Sequence, residues 1–484
     1  MASTLNLVRN SRVFFTTNVN TNTGVVNATG NTTANTFELQ VLDGFSFTQG
    51  TTQTTIQVME ASNTPTRGQR AFNTALNPVD FSFSTYIRPN GTGPINCEEQ
   101  YLWNALLSAN TADTTGLSVP TVTAFVRGST TTNIATFTCA SIDLGAAGIV
   151  NGDVVTVGTV TGTAADQWNA PAIITVTTGT INAATGITLT YQAAPSVAAG
   201  TTATNSGSIK LFRGGISVHP ATTGIGAKLL AHTGTSNKNQ LQKFGMIFVV
   251  DNAVYVVDNC ALDQVSIDFG LDTIATSAWT GKGTALRLLS AATLTGAKFT
   301  APTFGGTGLA GTALAAIQGA NFITNKLSTL TLQGAIMGGG TTYTIALTGG
   351  NLTYANNINY ITPTNLGIVN APVTYYTGTR SITGNVTAYL RTGTGNSAQV
   401  LSDMLTANQS ETKFKLQLEM GGASNAVHVD FLINGAMLQV PTVATADLMT
   451  TTINFNAQGY DPLLANAAYD FSQTNDLTIS YYSA

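Results

Sequence analysis

The chain has 484 residues, 83 of them Thr, 48 Gly and 13 Pro, with only 42 charged side chains and a net charge of −4. Thr is β-branched and suits pleated strands, so the composition excludes a coiled coil or helical bundle, which needs Ala, Leu, Glu and Lys. It also excludes a strongly basic nucleic-acid binder.

The first segment, Met1 to Phe15, carries Arg9 and Arg12 but no apolar run of the kind a secretory leader needs. The stretch Phe81–Arg88 (FSFSTYIR) alternates apolar and polar residues, which predicts a strand with one buried face. A helix is expected over Glu98–Leu107, where Leu102, Trp103, Leu106 and Leu107 form one apolar stripe. Glu98-Glu99, the one adjacent acidic pair, reads as first-turn charge on that helix. Between Ile134 and Tyr191 strands and turns follow one another, with a turn at Asn151-Gly152-Asp153. The most apolar stretch, Phe244–Val257, is interrupted by Asp251 and Asn252, so no membrane-spanning helix is expected. Ser381–Arg391 alternates again, and Ala398–Leu405 predicts a second helix with Val400, Leu401, Met404 and Leu405 as its stripe.

Acid–base and hydrolytic chemistry needs placed carboxylates or histidines. No Asp or Glu occurs between Asp272 and Asp403, while Lys282, Arg287, Lys298, Lys326, Arg380 and Arg391 fall inside that gap. The histidines, His219, His232 and His428, form no zinc-type spacing, and Cys97, Cys139 and Cys260 read as free thiols. Gly306–Gly311 spells GxGxxG, but the acid gap removes the carboxylate that a dinucleotide site requires. Trp279–Gly283 lacks the first Gly and the Ser or Thr of a phosphate loop. No catalytic residue, metal or cofactor is expected. Asp258, Asp263, Asp268 and Asp272 lie in a base-free stretch and are candidates for an acidic surface, which would repel phosphate; ordinary solvated turns are the alternative.

Two parts of the chain match each other. Tyr86-Ile87-Arg88 aligns with Tyr389-Leu390-Arg391, a short Gly- and Asn-containing loop and a helix follow each, and Trp279-xxx-Gly283 aligns with Phe455-xxx-Gly459. The chain therefore reads as a tandem duplication with 127 extra residues in the first copy. The expected division is 1–114 and 241–290 for the first repeat, 115–240 for an inserted small β-domain, and 291–484 for the second repeat.

On Leu5–Phe15, Pro65–Arg88, Tyr101–Leu107, Tyr354–Pro363 and Ser381–Gly459, the chain resembles the major tail tube proteins of long-tailed bacteriophages, in particular their duplicated, trimer-forming kind. The insert also resembles small β-modules of phage virion proteins. The resemblance implies a mainly β fold: two tandem tail-tube sandwich or barrel repeats, each with one short helix, plus the inserted β-domain, which is expected to project outward. It implies a non-enzymatic virion protein, made in the host bacterial cytoplasm, whose trimers form pseudo-hexameric rings that stack into a channel for DNA ejection. Implied partners are further copies of itself, a tape measure protein inside the tube, tail terminator and tail-tip or baseplate proteins, and DNA that passes without specific binding. Arg67, Gly68 and Arg70, bases in a charge-poor chain, are candidate ring-to-ring contacts. A tube protein of a contractile tail and a Thr-rich adhesin or surface-layer protein are the alternatives.

Overall fold

The computed structural model describes residues 11–32, 35–56, 70–87, 89–90, 96–97, 99–107, 116–122, 125–127, 134–158, 160, 168, 171–191, 202–203, 209–212, 215–219, 228–232, 241–250, 253–288, 322–333, 342–366, 368–406, 414–421, 428–445, 448–457 and 477–482. The protein is mainly β, with two α-helices among these residues, α1 (Gln100–Leu107) and α2 (Ser397–Thr406).

The second half closes a six-stranded antiparallel barrel. Thr329–Gln333 pairs with Thr342–Ala355, then Ser381–Tyr389, Thr450–Ala457, His428–Leu438 and Phe414–Met420, which returns to Thr329–Gln333. The first half repeats the circuit. Ser11–Thr16 pairs with Thr36–Leu39; Ser46–Ile56 continues that strand's path and pairs with Arg70–Tyr86. Thr276–Gly283, Ala253–Gly270 and Phe244–Val250 complete the round back to Ser11–Thr16. The long strand Thr342–Ala355 thus occupies the place of two shorter strands in the first barrel.

The two circuits agree in detail. Phe244 faces Cys260 and Phe414 faces Ala436, and in both hairpins the register slips directly after that Phe. Such a bulge inserts one residue and sharpens the bend, so its recurrence at one position marks a copied element. The pairing also corrects the sequence alignment. Tyr86 faces Thr276 and Tyr389 faces Thr450, so Trp279 corresponds to Ile453, and Phe455 corresponds to Gly281. The sequence alignment is displaced by two residues. A slip of two keeps every side chain on its own face, which is why alternation alone does not detect it.

One continuous core fills both barrels, with Phe81, Phe83, Trp103, Trp279, Tyr354, Phe431 and Tyr481 among its members. Helix α1 is buried on nearly all sides. Trp103 donates its indole N–H to the Tyr481 hydroxyl at 2.8 Å and meets Trp279 edge to face at 4.8 Å. Glu99, just before this helix, is fully buried and accepts the Tyr481 hydroxyl, so it is not a solvated first-turn charge. Helix α2 is less covered: Val400 and Met404 are buried, but Leu405, expected in its stripe, is 65% exposed.

A separate eight-stranded sheet draws its strands from residues 117–212 and has its own core, including Trp168, Ile174 and Leu189. The expected turn at Asn151-Gly152-Asp153 is present, with Gly152 at φ 90°. Two strands inside the range expected for the insertion, Gly215–His219 and Lys228–His232, lie elsewhere. Gly215–His219 and Lys228–His232 form a hairpin on the main sheet, and Lys228–His232 pairs with the last strand, Leu477–Tyr482. Cys260 is buried and Cys139 half-buried, both as free thiols.

Candidate functional site

Eight strands, four from each half of the chain, lie side by side as one antiparallel layer. The order is Ser46–Ile56, Arg70–Tyr86, Thr276–Gly283, Ala253–Gly270, Thr342–Ala355, Ser381–Tyr389, Thr450–Ala457 and Thr442–Ala444. The barrels join in the middle of this layer, where Gln264 faces Ala355 and Gly270 faces Gly349.

Strand alternation sends one set of side chains into the core and the other set out. The inward set is apolar: Phe81, Phe83, Trp279, Val265, Ile267, Leu352, Tyr354, Ile382 and Ile453 are all buried. The outward set forms polar rows across the layer. One row runs Ser84, Ala278, Ser266, Thr353, Thr383, Asn456; the next runs Tyr86, Thr276, Asp268, Asn351, Asn385, Asn454. Hydrogen bonds knit neighbours on this face: the Ser46 and Ser82 hydroxyls lie 2.8 Å apart, and Asn385 donates to the Asn351 side-chain oxygen at 3.0 Å. Asp80, Asp268 and Lys282 are charged positions on this face, and Lys282 sits directly opposite Asp80. Thr serves here because its branched carbon fits the pleat while its hydroxyl presents both donor and acceptor.

The four candidate acids do not make one acidic surface. Asp258 is 2% exposed; both its carboxylate oxygens take the Arg287 guanidinium, and Oδ1 also accepts the Val26 backbone N–H at 2.8 Å. A carboxylate leaves water only with such compensation. Asp263 is half-buried and accepts the Ile358 N–H at 2.7 Å. Asp268 is exposed on the polar face. Asp272, with φ 65°, sits at a turn 3.6 Å from the Lys326 ammonium.

Ser46–Ile56 and Arg70–Tyr86 continue past the barrel as an arm whose far end is exposed on both strands, with Ile56 opposite Arg70. Arg70 is exposed there; Arg67 and Gly68 lie outside the described residues. The arm is held from the second half: Leu76 N–H donates to Asn370 O, and Asn370 N–H donates to Thr74 O. Around this junction Phe72, Leu366, Ile368, Val369 and Val373 are 49% exposed or more. Contiguous exposed apolar side chains mark interaction surfaces.

Elsewhere, Glu419, His428 and Asp430 place ligand-type atoms within 4.8 Å of one another, a grouping the sequence spacing hides because two adjacent strands supply it. His428 stacks on Tyr482 at 4.2 Å, and Gln417 donates to Asp430 at 3.3 Å. Burial, reinforced by the charge of Glu419, pushes the Asp430 carboxyl up to about 6. Trp279–Gly283, which superficially suggested a phosphate loop, is barrel wall, and Gly306–Gly311 lies outside the described residues.

A closed duplicated barrel with a shared polar sheet face is what the resemblance to a tube-forming phage protein implies. No family model matches the chain. Over 458 residues the chain is 23% identical to the tail tube protein pb6 of Escherichia phage T5, covering 94% of this chain and 72% of pb6. The likeness to phage tail tube proteins expected from the sequence is borne out.

Proposed function

We propose that this chain is the structural subunit of a bacteriophage tail tube: three copies form a ring, rings stack, and the polar face of the eight-stranded layer lines a channel for DNA ejection. The protein is accordingly a virion tail component without enzymatic activity. One observation carries the reading. The two equivalent halves of the chain contribute four strands each to a single unbroken layer, and each of its terminal strands has a strand partner on one side only among the described residues. A layer of this kind is relieved of its edges by closure with further copies.

The lining suits its cargo. DNA phosphates release counterions to Lys and Arg and are held there. A face of Ser, Thr, Asn and Gln, with one Lys set opposite an Asp, offers little purchase. The similarity to pb6 supports the same reading. Arg67, Gly68 and Arg70 are assigned to ring-to-ring contact, together with the exposed apolar cluster beside the arm. The sheet within 117–212 is assigned to the outside of the tube. A tape measure protein would occupy the channel during assembly, and terminator and tip proteins would meet its two ends.

Negative-stain microscopy of the purified protein tests this. Stacked rings with a central hole and three chains per ring are expected. A protein that stays monomeric at all concentrations, or forms sheets without a hole, overturns it.

A further inference from the structure

The junction between the two barrels supplies a template for the junction between chains. At the internal junction Ile267 faces Leu352, Ser266 faces Thr353 and Asp268 faces Asn351. Ile267 and Leu352 are 1% and 3% exposed, so this pairing seals the core.

Each of these positions has a counterpart in the other barrel. Ser82 corresponds to Asn385, so their partners Ser46 and Asn351 correspond, and Phe47 takes the place of Leu352. In the second barrel Leu438 faces Phe455, Thr442 faces Thr452 and Ala444 faces Thr450. In the first, Leu262 faces Gly281, Ser266 faces Ala278 and Asp268 faces Thr276. Val443 therefore takes the place of Ile267.

These counterparts are the two outer edges of the layer. Ser46–Ile56 pairs only with Arg70–Tyr86, and Thr442–Ala444 only with Thr450–Ala457, among the described residues. Val443 is 37% exposed where Ile267 is sealed, and Phe47 is only partly buried where Leu352 is sealed. Pro441 precedes the second edge, a placement Pro tolerates only at edges and bulges.

We infer that neighbouring chains join by repeating the internal junction: residues 440–445 of one chain add antiparallel to residues 45–50 of the next, with Val443 opposite Phe47, Thr442 opposite Thr48 and Ala444 opposite Ser46. This rests on the ring reading and adds its register. The shapes agree further out. Phe269 faces Gly350 internally, and a Cβ on Gly350 would stand 2.8 Å from that ring. The corresponding pair between chains is Thr445 with Phe45, so the aromatic moves to the opposite strand. The contact is head to tail, since each chain carries one edge of each kind; such a contact generates a ring when its rotation closes, which the ring reading supplies.

Directly opposed residues of an antiparallel pair stand close enough for a disulfide. Full-length protein carrying Phe47→Cys and Val443→Cys is assembled, oxidised and run without reductant. Most chains should appear as covalent two- and three-chain species, and a mixture of the two single variants should yield only two-chain products joining one variant to the other. The pair Phe47→Cys with Thr445→Cys, two residues out of register, should remain single-chain. Thr48→Lys with Thr442→Lys, both at exposed positions, should abolish rings while the circular dichroism spectrum is unchanged; Thr48→Lys with Thr442→Glu should restore them. Rings in micrographs without the 47–443 cross-link overturn this junction and leave the ring reading standing. Preferential cross-linking through residue 445 overturns the register. Absence of rings from the unaltered protein overturns both readings.

Discussion

Phe81 lies across Gly281 on the neighbouring strand, and a Cβ on Gly281 would stand 2.3 Å from the Phe81 ring. In the second barrel the equivalent pair is Gly384 and Phe455, where a Cβ on Gly384 would meet the Phe455 ring at 2.4 Å. The same space is filled by the same two residue types on exchanged strands. The site needs one ring and one vacancy, and either strand can supply either.

Gly281→Ala should therefore destabilise the first barrel by about 1–3 kcal/mol, the range for overfilling a packed core. Phe81→Ala should cost about 3–5 kcal/mol as a large-to-small change. Phe81→Gly with Gly281→Phe recreates the second barrel's arrangement and should lose less than the sum of Phe81→Gly alone and Gly281→Phe alone. A double-mutant cycle from denaturant titrations measures that coupling; strict additivity would refute the exchange.

Asp430 should make stability fall as pH rises. Its folded value of about 6 lies above the ordinary 3.8. The native state therefore binds more protons than the unfolded chain between about pH 4 and 6, and stability drops across that window as pH increases. The penalty is complete above it, on the order of 3 kcal/mol. Asp430→Asn should raise the melting temperature at pH 7 and flatten the difference from the unaltered protein below pH 4. Equal melting temperatures at pH 7 would reject this.

Charge introduced on the polar face should affect transit rather than assembly. Asn385→Lys and Thr353→Lys add two bases per chain at half-buried outward positions. Virions carrying both should have tubes of normal length and eject DNA more slowly, with the rate recovering as salt rises. Ejection followed by dye fluorescence at two ionic strengths reads this; unchanged kinetics would move the channel lining to another face.

Arg67→Ala with Arg70→Ala should leave rings intact and shorten the stacks. Tube length in micrographs is the measurement, and unaltered length would remove these residues from the ring-to-ring contact.

Excising 117–212 should leave a folded chain that still forms tubes, because that sheet has its own core. Excising 115–240 should do more harm, since Lys228–His232 pairs with Thr478–Tyr482 and helix α1 packs against the same pair of strands. Thermal melts and micrographs of both variants separate the outcomes; equal behaviour would show that the hairpin contributes nothing.

Local pattern was enough for much of this. Alternation at Phe81–Arg88 and Ser381–Arg391, the apolar stripes of the two helices and the Asn-Gly-Asp turn are short-range signals, and each element stands where its pattern places it. The repeated Tyr-x-Arg motif located the duplication for the same reason. The acid gap excluded catalytic carboxylates from more than a quarter of the chain, because composition needs no fold to be read.

Pairing between distant strands was out of reach, because one strand's alternation is compatible with many partners and any register that slips by two. Only the tertiary structure decided that Phe455 matches Gly281 rather than Trp279, and that Asp258 is a buried partner of Arg287. It also showed that Gly215–His219 and Lys228–His232 return to the main sheet and that Glu419, His428 and Asp430 converge. The Thr-rich, charge-poor composition determined a mainly β protein. The tertiary structure decided where the Ser, Thr and Asn side chains of these eight strands face, on one side of the layer, because closing two barrels side by side commits every second residue to the core and leaves the others facing outward together.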